Sequence, residues 1–411
     1  MSSITQLVTS LMSLHDPLPS AGLLSVANPL SQPTIFLREA LPSDAPSLMA
    51  AAQSGNFRTL NFPSVQAGLE KKIRTSMDSF RGVVADPAEQ EMRFSILAST
   101  DRGEWIPIGS STFYPQHGSP ERPHHAYQTV PSTQPDEEGR VQDDSSLILI
   151  QNHNGPAEVG ALIVHHAVTS REKGETHADI LVEGVQHTID VRPRYGRAAS
   201  WIRFFWAALP QNRERYRPRT CLTEILPPFL ELPDGSRSNA FYEAFARGHF
   251  DNRPYDEMDQ LTNDDRSLIA ARLPRVVTLR NLPEDARRVI GVPRTDSLPA
   301  LRLLEKLGFK PLHQVDPIDA GPHFMGNFSE NPIFIGAKDF FFGGTAHREE
   351  DMGPWRYGFV GHAREEDGIR FRAALGPFFV LDDHLYTTQP ISRFLKLGVG
   401  IERPVTAVSL S

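Results

Sequence analysis

The chain of 411 residues contains a single cysteine, Cys221. One thiol excludes an intrachain disulfide and any zinc site built on cysteines. A reducing compartment is the simplest setting, so a cytoplasmic protein is expected. Runs of about 18 consecutive apolar residues are absent, and no membrane-spanning helix is expected. The first 33 residues hold neither lysine nor arginine. That speaks against a secretory signal and against an arginine-rich transit peptide. A basic surplus is missing too. The formal net charge of −8 argues against wholesale binding to nucleic acid. A local basic patch could still receive a polyanionic ligand such as a coenzyme.

What is present is length, proline and alternating apolar segments. The length suggests two or three units. Residues 1–33 read as an N-terminal extension, poorly ordered, with one short amphipathic helix over Ile4–Leu14. Regular structure is expected from Thr34. "TIFLREA" reads as a strand, and "PSD" caps the helix "APSLMAAAQ" at Ser43 or Asp44. "SVQAGLEKKIRTSMDSF" places Ala67, Leu69, Ile73 and Met77 on one side of a second helix. "MRFSILAST" and "WIPIGSSTFYP" flank the polar turn "DRGE" and predict a hairpin. Residues 116–146 are polar, rich in proline and acidic toward their end, and read as a long surface loop. Further strands and helices continue to about residue 326. From 327 to 411 short strand-like runs alternate with turns, and a mainly β region is expected. The order of elements predicts an α/β or α+β layer with a mixed sheet flanked by helices.

Two junctions carry chemistry. In "TIDVRPRYGRAASWIRFF" a strand enters a basic loop with Arg192, Arg194, Gly196 and Arg197, and a helix begins near Ala198. Free N–H groups and the helix dipole suit such an end to phosphate. A solvated basic turn is the plain alternative. In "VIGVPRTDSLPALRLLEKLGF" a Gly/Pro loop with Arg294 precedes a capped helix that ends at Gly308 and turns into a strand.

These stretches resemble the GNAT superfamily of acyl-CoA-dependent N-acyltransferases. Pro193, Tyr195, Gly196 and Ala198 are similar to its Pro-x-Tyr-Arg-Gly-x-Gly loop, one residue shorter and without the second glycine. Ala300, Leu304, Lys306, Gly308 and Phe309 are similar to its late helix motif. The chain from about Thr34 onward resembles arginine N-succinyltransferase in collinear order. The resemblance runs through "IFLREALPSDAPSLMAAA", "FWAAL", "LTEI", "DGSRSNAFYEAFARGHF", "PALRLLEKLGFKPLHQVDPIDAGP" and "FLKLGVGIERPVTAVSL".

The resemblance implies a GNAT-like region over 34–326. It implies succinyl-CoA as co-substrate, arginine or a similar small amine as acceptor, and a place in arginine degradation. The coenzyme arm would lie along a central strand at Ile189. The pyrophosphate would lie in the loop Arg194, Tyr195, Gly196, Arg197 and Ala198. The family's catalytic histidine falls on Arg294, and arginine cannot give up its proton at neutral pH. Arg294 is either a binder of carboxylate or phosphate or a plain loop residue. Glu224, at the end of a predicted central strand, is the leading candidate to accept the amine proton, with a structural carboxylate as the alternative. His249, at the end of the helix that a Ser238 cap is expected to open, is a further candidate, as are His187 and His313. His165 and His166 alternate faces on a strand, and no metal site is expected. A homo- or hetero-oligomer is compatible with the family. A catalytically impaired homologue that binds a ligand or a partner subunit is the competing reading.

Overall fold

The computed structural model describes residues 28–411 apart from 56–61, 64, 132–144, 170–175, 234–235, 261–271, 347–353 and 399–403. The expected helix over Ile4–Leu14 lies outside the described residues. None of the described helices is long and apolar enough to cross a membrane.

Nineteen strands are described. They are β1 (Ile35–Glu39), β2 (Met92–Ser99), β3 (Trp105–Tyr114), β4 (His124–Val130), β5 (Ser146–Asn152) and β6 (Ala157–Val164). Then come β7 (His177–Val182), β8 (Val185–Asp190), β9 (Thr220–Glu224), β10 (Leu230–Glu231), β11 (Arg237–Ser238) and β12 (Val276–Thr278). The last are β13 (Lys310–Val315), β14 (Pro322–Asn327), β15 (Lys338–Thr345), β16 (Arg356–His362), β17 (Arg372–Leu381), β18 (His384–Thr387) and β19 (Val405–Ser409).

Fifteen of them form one mixed sheet, in the order β12-β5-β4-β13-β14-β9-β6-β3-β2-β1-β17-β16-β19-β15-β18. Only β6–β9 and β15–β18 pair in parallel. β18 also pairs with β17, so β15 to β19 close into a five-stranded ring. Phe342, Val360, Phe378, Leu385 and Val405 fill it.

The local predictions hold where periodicity is strong. The helix Gln66–Phe80 buries Leu69 and Ile73. The hairpin of β2 and β3 forms around residues 100–104. The helix Leu298–Glu305 ends as expected: Gly308 takes φ +91°, and Phe309 N–H returns to Leu304 O at 3.2 Å. That turn feeds β13. Asp44 works differently from a simple cap. Its carboxylate accepts one N–H bond each from Nη1 and Nη2 of Arg38 at 2.7 Å and the Leu41 N–H at 2.9 Å.

At the centre lies the helix Tyr195–Ala207, whose aromatic content has a structural cause. Trp201, Phe204, Phe205 and Trp206 are all buried in the main core between the sheet and the helix Leu298–Glu305. Each such side chain contributes roughly 1.5–3 kcal/mol by leaving water. A helix apolar all round is one covered on every side.

Two expectations need correction. Residues 116–146 are not all loop. β4 occupies His124–Val130 and pairs along its whole length with β5. Its aromatic and β-branched "HHAYQTV" is hidden in a polar, proline-rich neighbourhood. The Ser238 cap is also displaced: Asn239 Oδ1 accepts the N–H groups of Phe241 and Tyr242 at 2.8 and 3.1 Å.

Candidate functional site

The parallel pair at the sheet centre is short. Ala157 faces Cys221 and Glu158 faces Leu222, and the ladder goes no further. The Thr223 hydroxyl donates to Val159 O at 3.0 Å. Past that point β6 continues to Val164 while β9 stops at Glu224. β6 is also irregular: its register against β3 shifts, and Ala161 takes φ +46°. The bulge turns β6 away from β9. Among the described residues no strand covers that edge of β6 beyond Val159.

Four segments send side chains to the point of separation. Glu224 ends β9, and His323 of β14 sits opposite it in the ladder. His124 opens β4, and His117 lies in the connection from β3. Glu224 Oε1 lies 3.1 Å from His124 Nε2, 3.5 Å from His323 Nε2 and 3.8 Å from His117 Nε2. The rings of His117 and His124 meet edge to face at 3.8 Å. On its other side His117 Nδ1 contacts Glu158 Oε2 at 2.5 Å. His323 is fully buried, whereas the Glu224 and His117 side chains keep about a quarter of their exposure, 24% and 25%.

The surroundings separate the three histidines electrostatically. Burial works against a charge on His117, but Glu158 in direct contact, with Glu224 and Asp316 beyond, lifts its pKa to about 9. Burial and the charged His117 beside it push His124 well below its ordinary value. Burial takes His323 down to about 4. At neutral pH the cluster therefore holds one imidazolium and two neutral imidazoles, and all three face the partly exposed Glu224 side chain.

The basic loop lies at the same end of the sheet as the far end of β6. Three antiparallel steps lead from β6 through β3 and β2 to β1, so β1 begins where β6 ends. Arg192 donates to Thr34 O at that beginning. Arg194 takes φ +83° before the helix Tyr195–Ala207, and no side chain caps that helix. Its guanidinium stacks over Tyr357, and that of Arg197 stacks over Trp201. Arg194 Nη1 and Arg197 Nε have no hydrogen-bond partner. A Cβ on Gly196 would meet nothing within 4 Å.

A family model for the arginine N-succinyltransferase beta subunit matches residues 35–180 and 190–331, most of the chain. The chain belongs to this family. No curated protein sequence matches it. Among solved structures it is similar to arginine/ornithine succinyltransferase subunit AI from Pseudomonas aeruginosa. The TM-score is 0.66 over 92% of this chain and 99% of that one, at 17% identity. The two share a fold.

Against this arginine N-succinyltransferase background the sequence-predicted residues fall into three groups. Glu224 stands in the cluster. Arg194, Tyr195, Gly196, Arg197 and Ala198 stand together at the helix start, with Tyr195 and Ala198 buried in the core. The others stand elsewhere. Ile189 is not on a central strand: β8 forms a separate hairpin with β7, joined to the end of β2 by a bridge from Ile189 to Thr100, and the Ile189 side chain is wholly buried. The strand parallel to β9 is β6. Arg294 is anchored near the site, since its N–H donates to Leu226 O at 2.8 Å. Its side chain is occupied, ion-paired to Asp296 and laid over Phe229 at 4.6 Å. His249 packs against Phe245, which lies on the buried group of Phe241, Tyr242, Ala246 and Phe250. His187 lies on the β7–β8 hairpin, and His313 is exposed at the bulge of β13. His165 follows the end of β6 and His166 opens a one-turn helix, so neither is on a strand.

Sequence reasoning missed His117, His124, His323 and Glu158. The two lower-numbered histidines were hidden in the supposed loop. His323 sits in "GPHFMG", directly after the run "DAGP". The available signal was the strand pattern of "HHAYQTV".

Proposed function

We propose that this protein is an acyl-CoA-dependent N-acyltransferase of GNAT-like architecture. It transfers an acyl group, succinyl as the first candidate, from CoA to the α-amino group of arginine or a similar small amine. The observation that carries this reading is the parting of β6 from β9 with Glu224 at the point of separation. An edge of main chain that no neighbouring strand covers, beside a partly exposed acidic side chain, is what thioester aminolysis needs.

The chemistry follows from the groups present. The amine nitrogen attacks the thioester carbonyl, the C–N bond forms and the C–S bond breaks. The proton lost by nitrogen goes to Glu224, and the departing thiolate takes one from water. Main-chain N–H groups of β6 past Val159 are the donors for the carbonyl oxygen. From Val159 to Val164 the strand spans about 16 Å at ~3.3 Å per residue. An extended coenzyme arm can follow this edge to the basic loop. There Arg194 and Arg197, with unpartnered nitrogens, and the uncapped helix end receive the pyrophosphate. Much of the catalysis is orientation, supplied by backbone. The absence of a histidine at position 294 therefore leaves room for activity. A cytoplasmic enzyme acting in arginine degradation is the matching setting.

A second reading has its own observation. Arg294, where the sequence resemblance puts the family's histidine, has its side chain tied to Asp296. That favours an impaired homologue serving as a ligand-binding or partner subunit of a homo- or hetero-oligomer. Calorimetric titration with succinyl-CoA and acetyl-CoA, followed by thiol release over a panel of amines, separates the two. Binding and turnover support the enzyme. No binding at millimolar coenzyme defeats it, and binding without release for any amine favours the subunit.

A further inference from the structure

We infer that His117, His124 and Glu224 form a binding site for a first-row divalent cation such as Zn²⁺, which departs from the sequence expectation of no metal. Each offers one ligand atom, and all three atoms lie within 4.8 Å of one another. Glu224 Oε1 lies 3.1 Å from His124 Nε2 and 3.8 Å from His117 Nε2. Ligands at about 2.0–2.1 Å from one tetrahedral ion stand roughly 3.4 Å apart, and these distances bracket that spacing.

The orientation of His117 supports the assignment. Its Nδ1 is held by the Glu158 carboxylate at 2.5 Å, so Nδ1 carries the hydrogen. Nε2 then faces the Glu224 oxygen, and it has no hydrogen-bond partner although it is buried. In the metal-free protein the second proton of the His117 imidazolium stands between Nε2 and the carboxylate, and a divalent cation can displace that proton and take its place. A carboxylate that fixes the outer nitrogen of a ligand histidine is the arrangement that orients metal-bound imidazoles.

The buried surroundings point the same way. His323 is fully buried, neither of its ring nitrogens has a hydrogen-bond partner, and its Nε2 lies 3.5 Å from Glu224 Oε1. Asp316 completes a second grouping with His323 and Glu224. Three carboxylates, Glu158, Glu224 and Asp316, thus bear on one small volume that also holds three imidazoles. Nitrogen and oxygen ligands without thiolate suit zinc, cobalt or nickel better than magnesium or calcium. Three protein ligands leave the fourth position for water or an incoming carboxylate.

The site does not depend on the acyltransferase reading. The cation and the proton compete for Glu224, so added Zn²⁺ is expected to lower acyl transfer and a chelator to restore it. The deciding experiment needs no acyl-CoA. Chelator-treated full-length protein is titrated with Zn²⁺ by calorimetry, and with Co²⁺ while the visible spectrum is recorded. One ion per chain, a tetrahedral Co²⁺ spectrum and a Zn²⁺-dependent rise in Tm are expected. His124→Ala and Glu224→Ala should weaken binding by at least about 100-fold, and Glu158→Gln by about 10–100-fold. His249→Ala, outside the cluster, should bind as wild type. If His124→Ala fails to fold, His124→Gln replaces it. Absence of saturable one-to-one binding by the wild type overturns the assignment. So does wild-type affinity in both His124→Ala and Glu224→Ala. Failure here leaves the acyl-transfer proposal standing, and failure of the transfer assay leaves the cation site standing.

Discussion

The closed ring of β15 to β19 and the open centre at β6 and β9 use the same material in opposite ways. In the ring, β17 gives one edge to β16 and divides the other between β1 and β18. Ladder after ladder satisfies the backbone, and apolar side chains fill the middle. At the centre the ladder stops after two residue pairs. The side chains there are histidines and carboxylates, and neighbouring β3 buries the hydroxyls of Ser110, Ser111 and Thr112 without partners. Closure produces stability and leaves nothing to bind with. Opening leaves main chain and charge available and forgoes stabilisation there.

The largest test of this contrast is in the ring. Phe378 is 2% exposed and packs in the ring interior. Phe378→Ala should cost about 3–5 kcal/mol in urea unfolding. Thiol release per folded molecule should not change. A loss of turnover equal to the loss of stability would show that the two regions are not independent. At the centre the opposite pattern is expected. Glu224→Gln should lower turnover by about 100-fold or more, equivalent to roughly 2.7 kcal/mol in the barrier, with little change in Tm. A loss below threefold removes Glu224 as the base.

The contrast also explains what could be read from sequence. The helix Gln66–Phe80, the β2–β3 hairpin and the turn at Gly308 are local, because the residues that decide them lie within a few positions of one another. Closure of the ring was not legible, since it depends on β17 meeting β18 along half of an edge it shares with β1. The cluster was half legible. Glu224 could be picked out as the end of a strand before a loop. His124 lies 100 residues away from it, and the order of strands alone brings them together. Ile189 failed for the related reason that a strand next to a helix in sequence need not be in the main sheet.

An effect of comparable size, confined to stability, is expected where the two regions join. Glu39 ends β1, its N–H donates to Phe371 O at 3.1 Å, and it is wholly buried. Burial pushes its carboxyl from 4.5 up to about 7, against the pull of the Arg370 N–H and the charges of Arg81 and Arg38, with Glu365 adding to the rise. A raised acid favours the folded state most below pH 4.5 and loses that favour as pH rises through about 7. The shift corresponds to about 3 kcal/mol. Glu39→Gln should gain about that much on the wild type between pH 4.5 and pH 8 in urea unfolding. An unchanging difference across that range would show that Glu39 does not titrate there.

The smallest effect belongs to the basic loop. Arg197 stacks on Trp201 and leaves Nε without a partner. Arg197→Ala removes one charge from a phosphate site that keeps its helix end and Arg194. The expected outcome is about a tenfold rise in the Kd for CoA, roughly 1.4 kcal/mol, that shrinks as salt is raised. The same variant should bind pantetheine as wild type does, because that ligand has no phosphate for Arg197 to meet. If both ligands weaken equally, the stacked arginine is supporting the helix start rather than holding phosphate, and the open centre of the molecule extends less far along β6 than the loop.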